Sequence, residues 1–446
     1  MPAHHIHDLI ETTLAGLPPA PLLVAFSGGL DSSVLLHAFA RSAAARGRGL
    51  RAVHVDHRLH GESASWATHC RAFADALEVG LVVRTIDVKR DPGLGLEASA
   101  RRTRYVEIES LLAPGEILAL AHHRDDQVET VLLKLLRGAG PEGLGGMRAW
   151  RRFGAGFAWR PLLDLPRAAL MAYARQHALG WIDDPSNADT RIARNFLRHA
   201  LLPELAQRWP QSAGSITQSA TRLHATADFI DSEAARALAR LRTDDPAILD
   251  ARAWLALPDA LRDPVLRHWL RGIALPEPTH LQVSELERQL ATAAPDREPC
   301  VRWRGVELRR YRDRLYALAP MPAPPIEWQH RFDGSALELP VGIGSLRLVS
   351  IAEPARTVRL AQPLNVRFRR GGERLHVAGS GHHRELRKLW QEAGVPPWQR
   401  ARQPLMFDRR DNVFAVGDLW LSTPAAALFD QLKCRITVAA PATEQA

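Results

Sequence analysis

Two apolar runs meet across a short polar turn in LLVAFSGGLDSSVLLHAF, residues 22–39. Leu22 to Phe26 reads as a buried strand of a parallel sheet, and Val34 to Phe39 as the start of a packed helix. A strand that turns through Gly28-Gly29 into a helix leaves backbone N–H groups pointing out of the turn, at the positive end of the helix dipole. The plain alternative is a tight strand–helix turn capped by Asp31 or Ser32. Serines placed to donate to phosphate oxygens, with Asp31 placed to meet a metal, favour a phosphate cradle.

The absent residues narrow the kind of cradle. A Walker loop needs a lysine after its glycines, and none follows here. A dinucleotide fingerprint needs three spaced glycines and an acid about 20 residues on. The sequence S-G-G-x-D-S-S instead resembles the pyrophosphate loop of enzymes that cleave ATP between its α and β phosphates. That resemblance implies ATP as co-substrate, held by Ser27, Gly28, Gly29, Leu30, Asp31 and Ser32, with pyrophosphate as a product.

Up to about residue 135 the chain alternates strands (22–26, 52–54, 81–86 and 117–121) with helices (31–45, 62–78, 97–113 and 126–136). This predicts an α/β fold, a parallel sheet with helices on both faces and ligands at the carboxyl ends of the strands. From 212 to 293 the pattern is helical. VRWRGVELRRYRDRLYAL, from residue 301, reads as a hairpin, and APMPAPPIEW (319–328) as a linker. Beyond it, short strands and a single helix near 384–393 suggest a small α+β domain. The expected division is a catalytic domain over 1–211, a mainly helical domain over 212–320, and a linker with a small basic domain over 321–446.

Composition excludes several classes. Three cysteines (Cys70, Cys300 and Cys434) lie far apart in 446 residues, which argues against a disulfide scaffold or a four-cysteine zinc site and suits a reducing cytoplasm. The longest uncharged stretch, Thr12 to Leu30, is broken by three prolines and three glycines. Neither a signal peptide nor a membrane span is expected. The net charge of +9 favours a polyanionic partner.

Two further segments carry chemistry. In ALAHHRDDQVETVLLKLLRGAGPEGLGGM, residues 119–147, Asp126 and Glu129 have the spacing of a capping box. That leaves His122, His123 and Asp125 at a strand's carboxyl end without a structural duty. ATP chemistry needs Mg2+, which one or two carboxylates and phosphate oxygens serve, so Asp31 with Asp125 or Asp126 are candidate ligands. The glycine-rich run after Arg137 either lets backbone approach a substrate or is a mobile loop. In WIDDPSNADTRIARNFLRHALLPEL, residues 181–205, a helix is expected from about Thr190. Arg191, Arg194 and Arg198 would share one face of it, either solvated or facing RNA phosphates.

Together with RPLLDLPR and RELRKLWQEAGVPPWQRARQPLMF, these segments resemble the tRNA(Ile)-lysidine synthetase family. The resemblance implies adenylation of the wobble cytidine of an isoleucine tRNA with a CAU anticodon, then displacement of AMP by the side-chain amine of free L-lysine. Asp31, His122, Asp125 and Asp126 become the candidate catalytic residues, with Asp31 and Asp126 as Mg2+ ligands and base and metal duties undivided among them. One departure is Asp56 in VHVDHRLHGESA, where the family commonly has a second histidine, so Asp56 receives no role.

Rival classes fare worse. A tRNA thiolase needs a catalytic cysteine pair or an iron–sulfur cluster, and an amidotransferase needs a cysteine nucleophile. A non-catalytic RNA-binding protein would not need the intact loop and Asp125-Asp126. For the RNA itself, residues 367–402 hold nine Lys or Arg against three Glu. Arg384, Arg387 and Lys388 are the chosen phosphate contacts there, and Trp390 and Trp398 are expected in the core.

Overall fold

A computed structural model of the chain describes residues 4–58, 63–87, 96–293, 297–380 and 382–439. The expected helix start at residue 62, part of the Asp56 segment (59–62) and residue 381 of the basic segment lie outside them. The chain divides into two compact units, Met1–Ser232 and Glu233–Ala446.

In the first unit the order is α1 (His4–Ala15), β1 (Leu22–Ala25), α2 (Leu30–Ala40), α3 (Ala43–Gly47), β2 (Leu50–Asp56), α4 (Ser63–Ala76), β3 (Gly80–Thr85), α5 (Leu96–Leu111), β4 (Ile117–Ala119), α6 (Arg124–Leu135), α7 (Pro141–Leu144), β5 (Trp150–Phe153), β6 (Gly156–Trp159) and α8 (Arg167–Gln176). The four expected strands stand where the apolar runs placed them. The helix expected over 31–45 is two helices, because Ser42 breaks the run and caps α3 by accepting from the Ala45 N–H. The β5–β6 hairpin and α8 were not anticipated.

The strands order as β3-β2-β1-β4-β6-β5. All neighbours are parallel except β5, which returns antiparallel to β6. Helices cover both faces. Ile6, Ile10, Val34, Phe39, Leu170 and Tyr173 pack on one, and Ile108 and Leu112 meet Leu23, Val53 and Leu118 on the other. The chain crosses over in opposite directions from β1 and β4, which are adjacent. Their carboxyl ends therefore open into the crevice where a doubly wound sheet takes its ligand.

Buried in that core, His37 shares a 3.0 Å hydrogen bond between its Nδ1 and the Tyr173 hydroxyl. Burial, with the nearby His177 and Arg41, lowers its pKa from 6.5 to about 4. Stability tied to neutral His37 is therefore complete above pH 6.5 and is lost as pH falls through about 4. The urea midpoint of the parent should fall across that window. In His37→Gln the fall should be shallower, and an identical slope would exclude His37 as a contributor.

The 30-residue helix α11 (Ser212–Leu241) follows α9 (Ala193–Phe196) and α10 (Leu202–Arg208) and crosses the boundary between the units. In the second unit, Trp254, Trp269, Leu286 and Trp303 centre one core. The region is less purely helical than its sequence suggests. Strand β7 (Ile248–Asp250) joins β8 (Cys300–Trp303), β9 (Val306–Tyr311) and β10 (Arg314–Leu318) in a sheet ordered β7-β10-β9-β8. The expected hairpin is thus a three-stranded meander with a fourth strand added.

Beyond residue 328 lie a five-stranded and a three-stranded sheet. Three helices, Leu386–Glu392, Pro397–Arg400 and Thr423–Leu432, stand where one was expected. Trp390 and Trp398 are buried as anticipated. Not all nine cations of 367–402 face water. Arg400 is buried, donating to the Val395 carbonyl and the Tyr311 hydroxyl, and Arg367 lies 3.8 Å over the Phe407 ring. Arg402 donates to the carbonyls of Pro322 and Val341.

Candidate active site

Residues 26–30 form the turn from β1 into α2. Gly28 has φ +83°, and a β-carbon there would stand 2.6 Å from Ile182 Cδ1 and 2.8 Å from Cys70 Sγ. Conformation and space both require glycine. Gly29 is the N-cap of α2, and no side chain caps the helix, so its end is left to an anion. Ser27 and Ser32 share a hydrogen bond of 3.0 Å between hydroxyls. Ser32 Oγ also donates to the Gly29 carbonyl at 3.1 Å. Ser33 turns inward and donates to the Gly28 carbonyl. Gly28→Ala should lower ATP affinity at least tenfold and cost about 1–3 kcal/mol of stability. Nucleotide titration with a parallel urea melt checks both.

At the end of β4, α6 begins earlier than the sequence suggested. Its N-cap is His123, not Asp126, and Asp126 is the third helical residue, its carboxylate accepting from the His123 N–H at 3.1 Å. The His123 ring is fully buried. Its Nε2 stands 3.5 Å from Asp31 Oδ2 and 3.4 Å from Asp126 Oδ2, and its Nδ1 stands 3.5 Å from Asp125 Oδ2. Burial opposes charge on the ring, yet Asp125, Asp31 and Asp126 outweigh it and raise the pKa to about 9. The three carboxylates thus favour the charged form of the ring. In that form it cannot accept the Asp126 N–H, and the 3.5 Å separation there is too long for a good hydrogen bond.

Asp125 is held at a pKa of about 2, chiefly by His123 and also by the Arg167 N–H, which donates to it at 2.8 Å. Asp31 Oδ1 is buried without a hydrogen-bond partner, with Arg167 Nε 3.9 Å away. His122 differs from its neighbour. Burial lowers its pKa to about 3, and its Nδ1 accepts from Arg160 Nε at 3.1 Å. Because a guanidinium only donates, the His122 proton sits on Nε2. His122 then presents an N–H at Nε2.

Glu129, which sequence reasoning gave only a capping duty, is fully buried. Arg198 forks onto it, with Nε 2.7 Å from Oε1 and Nη2 3.1 Å from Oε2, and the same Nη2 reaches Asp126 Oδ1 at 3.1 Å. Arg194 Nε is 2.9 Å from Glu129 Oε2. The arginine stripe expected on one helix face is therefore divided. Arg191 precedes α9, is exposed and pairs with Asp189, whereas Arg194 turns inward onto Glu129 and Arg198 onto Glu129 and Asp126. Glu129 lies one helical turn from Asp126, and that spacing was the available signal.

The glycine-rich run is tied down. Gln127 donates to the carbonyls of Gly145 and Met147 and accepts from the Met147 N–H at 2.7 Å. The cysteines offer no activated thiol here, since burial pushes Cys70 up to about 12. Arg384 is paired to Glu392, and Arg387 and Lys388 are exposed in the second unit.

Residues 2–205 match the model of the PP-loop domain, 249–316 that of the TilS substrate binding domain, and 364–438 that of the TilS substrate C-terminal domain. The tRNA(Ile)-lysidine synthase of Xanthomonas axonopodis pv. citri is 45% identical over 93% of this chain and 95% of its own. The chain belongs to the tRNA(Ile)-lysidine synthase family. The relative of that name in Alkalilimnicola ehrlichii is also 45% identical, over 92% of this chain and 93% of its own. Among solved structures, the U34-tRNA thiolase NcsA of Methanococcus maripaludis is 16% identical with a TM-score of 0.41, covering 50% of this chain and 78% of that one. Within the lysidine synthase family, the PP-loop domain match spans every residue of the cradle and the His122–Glu129 cluster. Among the described residues no helix is long and apolar enough to cross a membrane.

Proposed function

We propose that this chain is a ligase that uses ATP to join free L-lysine to C2 of the wobble cytidine of isoleucine tRNA with a CAU anticodon. The observation that carries this reading is the meeting, at the β1/β4 crevice, of an uncapped glycine turn with the Asp31–Asp125–Asp126 cluster, in a chain related over most of its length to lysidine synthases. The cytidine O2 attacks the α phosphorus of ATP and pyrophosphate leaves. The lysine amine then attacks C2, the C2–O bond breaks, and AMP departs with the oxygen. The amine's proton passes to a carboxylate.

The turn N–H groups, Ser27 and Ser32 hold the phosphates, and the His122 Nε2–H and Arg167 face developing negative charge. Mg2+ fits the donors present, because Asp31 keeps a buried unpartnered oxygen and one or two carboxylates with phosphate oxygens suffice for it. Asp31 and Asp126 would hold it, and it would neutralise phosphate charge. The functional regions remain 1–211 for catalysis, 212–320 for substrate recognition and 321–446 for tRNA binding. The test is one incubation with labelled lysine, ATP and total bacterial tRNA. Label is expected in a modified cytidine with equimolar AMP and pyrophosphate, and ADP with orthophosphate would overturn the reading.

The second unit's part is binding. Replacing Arg384, Arg387 and Lys388 with Ala should raise KM for tRNA and leave KM for ATP and lysine unchanged. Each lost phosphate contact flattens the dependence of log K on log salt by about one unit or somewhat less. Arg384 already spends its charge on Glu392, so the triple variant should lose about two contacts. An unchanged salt slope would leave this segment a solvated face and, of the arginines expected near 191–198, would leave only the exposed Arg191 as a candidate RNA contact.

A further inference from the structure

The pairing of β1 with β2 ends at Ala25 and Val53, where the turn into the phosphate cradle begins. Phe26 is nevertheless gripped from β2 on both sides of its backbone. Its N–H donates to the Val53 carbonyl at 2.8 Å, and its carbonyl meets Nδ1 of the next residue along β2, His54, at 3.0 Å. A side chain thus takes over from strand pairing at the point where the chain leaves the sheet. Since a carbonyl only accepts, the His54 ring carries its proton on Nδ1. The ring is buried, and burial lowers its pKa, so it stands there as a neutral donor.

One rigid peptide carries this hold into the cradle. In a trans peptide the carbonyl and the following N–H lie in one plane and point in opposite directions. Holding the Phe26 oxygen therefore aims the Ser27 N–H, which donates to Ser32 Oγ at 3.2 Å. Ser32 Oγ in turn donates to the Gly29 carbonyl at 3.1 Å and shares a hydrogen bond with Ser27 Oγ. Hydrogen bonds thus run without a break from His54 to both cradle serines and to the Gly29 carbonyl. Beneath the turn, Cys70 Sγ is 3.4 Å from His54 Nδ1 and would be 2.8 Å from a β-carbon on Gly28. The rings of Phe26 and Phe73 lie 5.4 Å apart. The turn is seated on α4 as well as on β2.

We infer that His54 is a positioning residue for the phosphate cradle: by holding the Phe26 carbonyl it fixes the directions in which the Ser27 and Ser32 hydroxyls and the turn N–H groups meet phosphate. The inference rests on the reading of that turn as the ATP site and adds a residue outside it. What the hydrogen bond supplies is preorganisation, because groups already aimed at phosphate need not be ordered when ATP binds. The rival reading of this corner is a cysteine–histidine nucleophile pair. Geometry and charge both oppose it. His54 Nδ1 is committed to the Phe26 carbonyl, both side chains are buried, and burial pushes the Cys70 thiol up to about 12, so no thiolate forms near neutral pH.

The test compares two substitutions in the full chain. His54→Asn keeps an N–H donor near the Nδ1 position, and His54→Leu fills the space without one. In His54→Leu the KM for ATP and the inhibition constant of inorganic pyrophosphate should both rise tenfold or more, with KM for tRNA and lysine within twofold of the parent. His54→Asn should keep all four within threefold. A residue that merely stabilised the fold would lower the urea midpoint without separating ATP and pyrophosphate from the other substrates. If His54→Leu does not fold, His54→Gln takes its place, since its amide stands one methylene too far along to serve the same carbonyl. Unchanged ATP KM and pyrophosphate inhibition in the folded variant lacking the donor overturn the inference, as does an equal loss in His54→Asn. A parent that forms AMP from ATP but is not inhibited by pyrophosphate refutes the reading of the turn as the phosphate site, a failure visible before any variant is made.

Discussion

Asp31→Ala is expected to abolish AMP formation, by at least about 1,000-fold or some 4 kcal/mol of barrier, while tRNA affinity stays within a few-fold. The reason is position. Asp31 stands in the first turn of α2, beside the phosphate cradle, with one carboxylate oxygen buried and unpartnered and the other 3.5 Å from His123. Asp126→Ala should behave alike, since that carboxylate faces the same histidine and also meets Arg198. Pyrophosphate release and filter binding supply the two measurements. Removing either acid also weakens the hold on the His123 proton, so Asp31→Asn and Asp126→Asn are the sharper pair, keeping shape and losing charge. A near-normal rate in Asp31→Asn would reduce Asp31 to a structural role.

How far this site could be read from sequence depended on whether each residue's partner was local. The turn at residues 26–30 was legible because a buried strand, two glycines and a helix start are consecutive, and each constrains the next. The placement of His122, Asp125 and Asp126 followed from the strand before them. The cap did not: histidine at 123 is an uncommon N-cap, and the acidic pair drew the predicted start of the helix two residues late. Arg194 and Arg198 share a face by helical periodicity, but periodicity does not say which face is inward. Their partner, Glu129, lies more than 60 residues away in the chain. In the same way Arg400 and Arg367 count as surface charge in a composition, yet one bonds Tyr311 and the other covers Phe407. WRRFGAGFAW gives two four-residue strands around a glycine turn, too short to announce a hairpin by alternation.

Neutralising Glu129 should strongly destabilise the first unit. Its side chain is fully buried between Arg194 and Arg198, so Glu129→Ala leaves two guanidiniums facing each other with Asp126 as the remaining anion. Breaking a buried pair by removing one partner costs about 3–5 kcal/mol. In a unit of this size each kcal/mol moves the thermal midpoint by about 2–4 °C, so the transition should fall by roughly 10 °C. Glu129→Gln keeps the volume and part of the hydrogen bonding and should fall less. Catalysis separates bracing from mere stability. Arg198, freed from Glu129, would turn wholly to Asp126 and draw that carboxylate from His123. Glu129→Gln assayed well below its melting transition should therefore lose kcat for AMP formation at least tenfold, with KM for tRNA nearly unchanged. Pairing it with Arg198→Gln gives a double-mutant cycle. If the two losses in kcat simply add, Glu129 does not act through Arg198, and its burial serves the fold alone.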